Sequence, residues 1–150
     1  MKEEKAYFAM GCFWSIQAIF DKIRGVLKTT VGYTGGIGEA TYEKSEKQDH
    51  AEAIEVVFDP KKITFLKLLD TFWSEHDPTT RDSQGSDFGR SYRSAIFYTT
   101  LKQKKAALKS MKDFQSVLEN KITTEIKSFK KFYAAEEYHQ RYFMKHGKTC

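Results

Sequence analysis

The sequence predicts an α+β fold: a two-layer sandwich built on a mixed sheet, ending in a long irregular C-terminal segment. Three patterns lead there. A strand, a helix and a second strand follow one another between Lys5 and Tyr33. Further strand and helix patterns succeed them with no repeat, linker or low-complexity stretch. Two long loops, polar and containing glycine, interrupt the regular elements, and loops of that length inside a compact domain usually carry function.

The elements follow from periodicity. Lys5 to Met10 alternates Tyr7/Ala9 with Phe8/Met10, and Gly11 breaks the strand. From Cys12 a helix is expected, because Cys12, Ile16, Ile19, Phe20 and Ile23 share one apolar face, with Ser15, Gln17, Asp21 and Lys22 on the other. Arg24-Gly25 ends it, and Leu27 to Tyr33, rich in β-branched residues, forms the next strand, giving a βαβ unit with a right-handed crossover. Gly32 to Ser45 reads as a loop whose glycines match neither a dinucleotide nor a P-loop fingerprint, since no helix follows at the required spacing. Glu52 to Phe58 is a third strand; after Asp59-Pro60 comes a helix with Phe65, Leu66, Leu69, Phe72 and Trp73 on one side. A second loop, Glu75 to Tyr92, leads into a strand at Arg93 to Tyr98. Leu101 to Leu118 reads as an amphipathic helix carrying Leu101, Leu108, Met111 and Leu118, Thr123 to Phe129 as a short edge strand, and Glu136 to Lys145 as a last short helix before a mobile tail.

Composition narrows the function. The 150 residues, 40% hydrophobic and 15% aromatic, fit one domain with one core: a globular region over about 5–145 and a tail over 145–150. The N-terminal Met-Lys-Glu-Glu-Lys has no signal-peptide run, and no stretch approaches the roughly 18 apolar residues of a membrane span. A cytoplasmic protein with no membrane partner is expected. The two cysteines, Cys12 and Cys150, stand near opposite ends and make no disulfide framework; with four histidines and no close Cys/His spacing, no zinc or other metal site is expected. The net charge of +5 admits nucleic acid as a partner, but lysines such as Lys102, Lys105 and Lys109 are accounted for by a solvated helix face, so none is expected.

The chemistry gathers at Gly11-Cys12-Phe13-Trp14. In the first turn of a helix, unpaired N–H groups and the macrodipole favour an anion and so lower a thiol's pKa. On position alone, a nucleophile and a small buried hydrophobe account for Cys12 equally well. Phe13 and Trp14 favour function, because two rings beside a thiol can wall a pocket for a methyl or thioether group; ordinary core packing is the commoner fate of such rings. Glu52 shares parity with Ile54, Val56 and Phe58 and so begins an apolar strand face, opposite to Glu55. Desolvation there raises a carboxyl pKa towards that of a general acid, although a strand-end carboxylate reaching water explains Glu52 taken alone. Tyr42 and Tyr92 could donate hydrogen bonds from the loops, or simply pack on the core. Asp87 could cap its loop. His139, Tyr142 and Phe143 share one face of the expected last helix, where a satisfied core histidine is the plain account. Cys150 could reach a distant sulfur from a mobile tail, or be an inert terminal cysteine.

The residues also match an ordered set of motifs: Gly11-Cys12-Phe13-Trp14, Val31-Gly32-Tyr33-Thr34-Gly35-Gly36, Asp49-His50-Ala51-Glu52, His76-Asp77-Pro78-Thr79, Gln84-Gly85-Ser86-Asp87, Tyr92-Arg93-Ser94 and Ala135-Glu136-Glu137-Tyr138-His139-Gln140. Together they resemble the type A methionine sulfoxide reductases, from about residue 5 to the C-terminus. The resemblance implies a ferredoxin-like core and reduction of the S epimer of methionine sulfoxide, free or in proteins. It implies that Cys12 is the nucleophile, that Phe13 and Trp14 receive the S-methyl group, and that Glu52 protonates the sulfoxide oxygen while Tyr42 and Tyr92 bind it. Asp87, His139 and Tyr142 would support the pocket. Cys150 would resolve the Cys12 sulfenic acid as a disulfide, reduced by thioredoxin or another dithiol, with no bound cofactor. A monomer is expected. Ser15 and Gln17 stand where many relatives have Gly and Glu; neither lies at a matched catalytic position, though both could alter the pocket rim. Two other readings compete. A peroxide reductase would need a polar clamp beside the thiol, and a basic nucleic-acid module would need exposed aromatics on the sheet face.

Overall fold

The computed structural model describes residues 2–44, 48–142 and 145. Its strands are β1 (Glu4–Met10), β2 (Val26–Thr34), β3 (Ala51–Phe58), β4 (Ser83–Gln84), β5 (Asp87–Phe88), β6 (Ser94–Tyr98), β7 (Glu125–Ser128) and β8 (Phe132–Ala134). Its helices are α1 (Phe13–Asp21), α2 (Phe65–Ser74) and α3 (Leu101–Gln115), with 3₁₀ turns at Arg90–Tyr92 and Glu137–His139. Six strands form one mixed sheet in the order β7-β6-β1-β3-β2-β8, and β4 pairs with β5 as a separate small hairpin. Among the described residues, only β6 and β7 pair in parallel.

The expected α+β sheet is present, with two refinements. Both β1 and β2 run antiparallel to β3, which lies between them, so the βαβ unit is split by an inserted strand. The helices cover one face only. Strand alternation sends Phe8, Ile54, Val56 and Ile96 towards α1, α2 and α3, whereas Tyr7, Ala9, Ala53 and Phe97 form a second apolar cluster with no helical residue in it. That second face is covered instead by the segment before β8, where Phe129 stacks on Tyr7 at 3.9 Å between ring centroids.

Thr64 and Thr100 cap α2 and α3, each side chain accepting a backbone N–H three residues on, from Lys67 at 3.2 Å and Gln103 at 3.1 Å. The inward residues differ in part from the sequence reading. Gln17 is buried on α1 beside Phe13, Ile16 and Phe20, while Ile19 is only half-buried. Leu68 replaces Leu66 on the buried stripe of α2, and Leu66 is exposed. Leu101 and Leu108 are exposed on α3, which buries Gln103 and Ala107. Thr123 to Phe129 does contain an edge strand, β7, but β8 on the opposite edge was not expected.

The helix expected over 136–145 is interrupted: a 3₁₀ turn is followed by an extended residue, Gln140, and by Arg141 with φ +51°, and of the described residues only Tyr142 and Lys145, at the far end, are helical. The cause is side-chain hydrogen bonding. Gln140 accepts the Val31 N–H at 2.9 Å and donates to the carbonyls of Val31 at 2.9 Å and Ala135 at 3.0 Å, so it acts as one more strand residue against β2. His139 and Tyr142 therefore share no helix face. Phe143 and Cys150 lie outside the described residues.

Candidate active site

The turn between β1 and α1 sets the position of the sulfur. Gly11 has φ +98°, and a Cβ there would come within 2.7 Å of the Gln84 side chain, so only glycine fits. Cys12 is the N-cap residue of α1, half-buried, and in the disulfide form. Its carbonyl accepts from the Ser15 hydroxyl at 3.0 Å. An N-cap side chain lies over the first-turn N–H groups, where an anion is favoured.

Glu52 reaches the same turn from β3. Its Oε1 accepts the Phe13 N–H at 3.1 Å, although the two residues are 39 positions apart. The carboxyl is 6% exposed. Burial pushes it up to about 7, against the Phe13 N–H, which favours the anion, and with further upward pressure from the charge of Asp87. The group therefore exchanges its proton near neutrality, as a general acid must.

A cavity of about 170 Å³ opens at this point, lined by Cys12, Phe13, Trp14, Tyr42, Glu52, Asp87 and Tyr92. Drug-sized ligands need roughly 300–1,000 Å³, so the space suits the tip of a side chain. Seven of the ten residues singled out from the sequence line it. His139 and Tyr142 stand behind the Trp14 wall. The Trp14 indole donates to His139 Nδ1 at 3.1 Å and stacks on Tyr142 at 3.9 Å. Accepting at Nδ1 leaves His139 neutral with its proton on Nε2, and burial lowers its pKa, partly opposed by Glu136.

Comparison with known proteins identifies the family. The family described as "Peptide methionine sulfoxide reductase" matches residues 4–150. The chain belongs to that family. A peptide methionine sulfoxide reductase MsrA from Methanosarcina acetivorans is 51% identical over 149 residues, covering 96% of this chain and 79% of that protein. Reduced Mxr1 from Saccharomyces cerevisiae superposes with a TM-score of 0.94 at 35% identity, over 99% of this chain and 88% of that one. Mxr1 in complex with Trx2 matches with a TM-score of 0.70 at 31% identity, over 94% and 85%. This chain is accordingly an oxidoreductase that reduces methionine sulfoxide, and no helix among its described residues is long and apolar enough to cross a membrane.

Three supports of the pocket were not singled out as site residues in the sequence. Tyr33, fully buried, packs beneath Phe13 with the rings tilted at 49° and their centroids 5.6 Å apart. Gln84 accepts the Asp77 N–H and donates to the Asp77 carbonyl, both at 2.8 Å, which seats the β4–β5 hairpin carrying Asp87 against Gly11. Contrary to the reading from the sequence, Gln17 does not shape the rim. It lies buried below the pocket, donating to Thr29 and Gln140 and accepting the Arg141 N–H at 2.6 Å. Its spacing from Phe13 and Phe20, at i, i+4 and i+7, was the available signal of an inward position.

Proposed function

We propose that Cys12 is the nucleophile that attacks the sulfoxide sulfur and Glu52 the acid that protonates its oxygen. The single observation that carries this is the shared cavity, in which a carboxyl of pKa about 7 is bonded to the amide next to Cys12. A sulfoxide sulfur becomes electrophilic once its oxygen is protonated or strongly hydrogen-bonded. Tyr42 and Tyr92, on the cavity wall, bind that oxygen, while Phe13 and Trp14 take the S-methyl group. Asp87 holds the Glu52 proton in place by raising its pKa, and His139 and Tyr142 fix the Trp14 ring. The sulfoxide sulfur gains two electrons and leaves as the thioether, and the Cys12 sulfur loses two and retains the oxygen as a sulfenic acid.

The substrate is the S epimer of methionine sulfoxide, free or within an oxidised protein. Cys150, the chain's only other cysteine, resolves the sulfenic acid, expelling water and forming a disulfide. Thioredoxin or another dithiol then reduces it, a reading supported by the Mxr1–Trx2 complex. The same reading takes the protein as a single-domain cytoplasmic monomer, with no bound cofactor and no nucleic-acid partner.

The test uses pure sulfoxide epimers and a dithiol. Cys12→Ser is expected to abolish reduction of the S epimer; retained activity would overturn the assignment. One equivalent of methionine sulfoxide added without reductant should remove both free thiols of the reduced protein. Loss of only one would remove Cys150 from the cycle.

A further inference from the structure

A second concavity close to the catalytic loops is separate from the catalytic one. A cleft of about 730 Å³ lies between the loop after β2 and the segment joining β7 to β8. Its wall includes Phe97, a member of the apolar cluster on the helix-free face of the sheet, and Tyr133. Glu52 instead projects from the helix-covered face, so cleft and catalytic cavity are separate; they share no lining residue.

Two properties make this cleft a built site. The first is a rigid cationic base. Arg93 is 2% exposed, and its guanidinium donates to the carbonyls of Arg90 at 2.8 Å and Asp49 at 3.0 Å. Its Nε has no hydrogen-bond partner and stands 3.6 Å from a Glu125 carboxylate oxygen. The backbone opposite comes close only because it lacks side chains: a Cβ on Gly35 would meet the Phe97 ring at 2.7 Å and Arg93 Nη2 at 3.0 Å. The second property is uncompensated charge. Glu125 is the one carboxylate on the wall, and it is already bonded to Arg90 at 2.8 Å. Lys127, Lys130 and Lys131 also line the cleft, and among the described residues none of them has a carboxylate within ion-pair distance. Lys131 lies over the Tyr133 ring at 5.2 Å.

We infer that this cleft binds a small polyphosphate anion. Three lysines lining one concavity match several phosphate oxyanions on one molecule, for which ammonium groups act as point charges. The aromatic part of the wall offers a face for a nucleoside body.

The test is calorimetry on the full chain with magnesium-free ATP, sodium tripolyphosphate and adenosine. Saturable one-site binding of ATP and tripolyphosphate is expected, weakening as salt is raised. The variant K127Q/K130Q/K131Q should weaken both at least tenfold. A control of equal charge, K102Q/K105Q/K112Q on the exposed side of α3, should bind within twofold of the parent. Tighter binding of ATP than of tripolyphosphate would assign the aromatic wall to a nucleoside; equal binding would assign the site to a bare phosphate chain. Absence of saturable binding to the parent would overturn the proposal, and so would equal weakening by both triple variants, because the charge would then act from anywhere on the surface.

Discussion

Asp49 and Glu52 are three residues apart, both carboxylates, and the protein shifts them in opposite directions. Asp49 ends a loop with φ +60°, half-exposed, and takes two hydrogen bonds from Arg90 at 2.9 and 3.1 Å. Those bonds hold its pKa below the usual carboxylate value, against a small opposing effect of burial. Glu52 is the second residue of β3, is almost fully buried, and has a single backbone N–H for company, so it rises to about 7. The side-chain chemistry is nearly the same; the surroundings decide. One group is a fixed anion in an ion-pair network, and the other is a reservoir for a proton. The comparison also shows why desolvation outweighs a helix N-terminus here: one amide at the edge of a closed cavity does not replace the water that Glu52 has lost.

The contrast is open to experiment. Glu52→Gln should have the largest effect, lowering kcat/KM for the S epimer by about 10²–10⁴-fold, the usual worth of a positioned acid. A rate within tenfold of the parent would make Glu52 a structural group. Second, in the unaltered enzyme kcat/KM should fall as pH rises through about 7, where Glu52 loses its proton; a profile flat to pH 8.5 would assign the acid elsewhere. Third, the same Gln variant should be the more stable protein in alkali. The folded pKa lies above the ordinary value of 4.5, so the parent loses stability as pH rises from there to about 7 and levels off beyond. Gln does not titrate, so denaturant midpoints should diverge across that window, by ~1–3 kcal/mol at pH 8. Asp49→Asn should give the smallest effect, with the opposite sign. Asn tolerates the left-handed backbone, so only charge is removed. The loss at pH 7 should be under about 1 kcal/mol, as for exposed ion pairs, and should vanish as acid protonates Asp49 in the parent. Equal pH responses from the two variants would break the comparison.

The near half of the site was legible in the sequence because its geometry is local. Alternation along β3 put Glu52 on the apolar face, and a strand, a glycine and an amphipathic run put Cys12 at a helix mouth. The contact between them depends on β3 being inserted between β1 and β2, which periodicity does not encode. Misread elements have equally particular causes. Leu101 is apolar but sits at the first position of α3, outside the buried stripe. Gln17 and Gln140 are polar but buried, because each amide finds backbone and side-chain partners, and hydropathy alone assigns such residues to solvent. The bond from Trp14 to His139 spans 125 residues and leaves no local trace.

That long-range bond has a consequence for biosynthesis. The first wall of the pocket emerges from the ribosome early, yet nothing orients the indole until His139 follows and the Gln140 amide locks onto β2. A nascent chain halted before that point would carry Cys12 and Glu52 without a fixed Trp14 ring beside them. The wall of the pocket is thus completed by the last segment of the chain to be made.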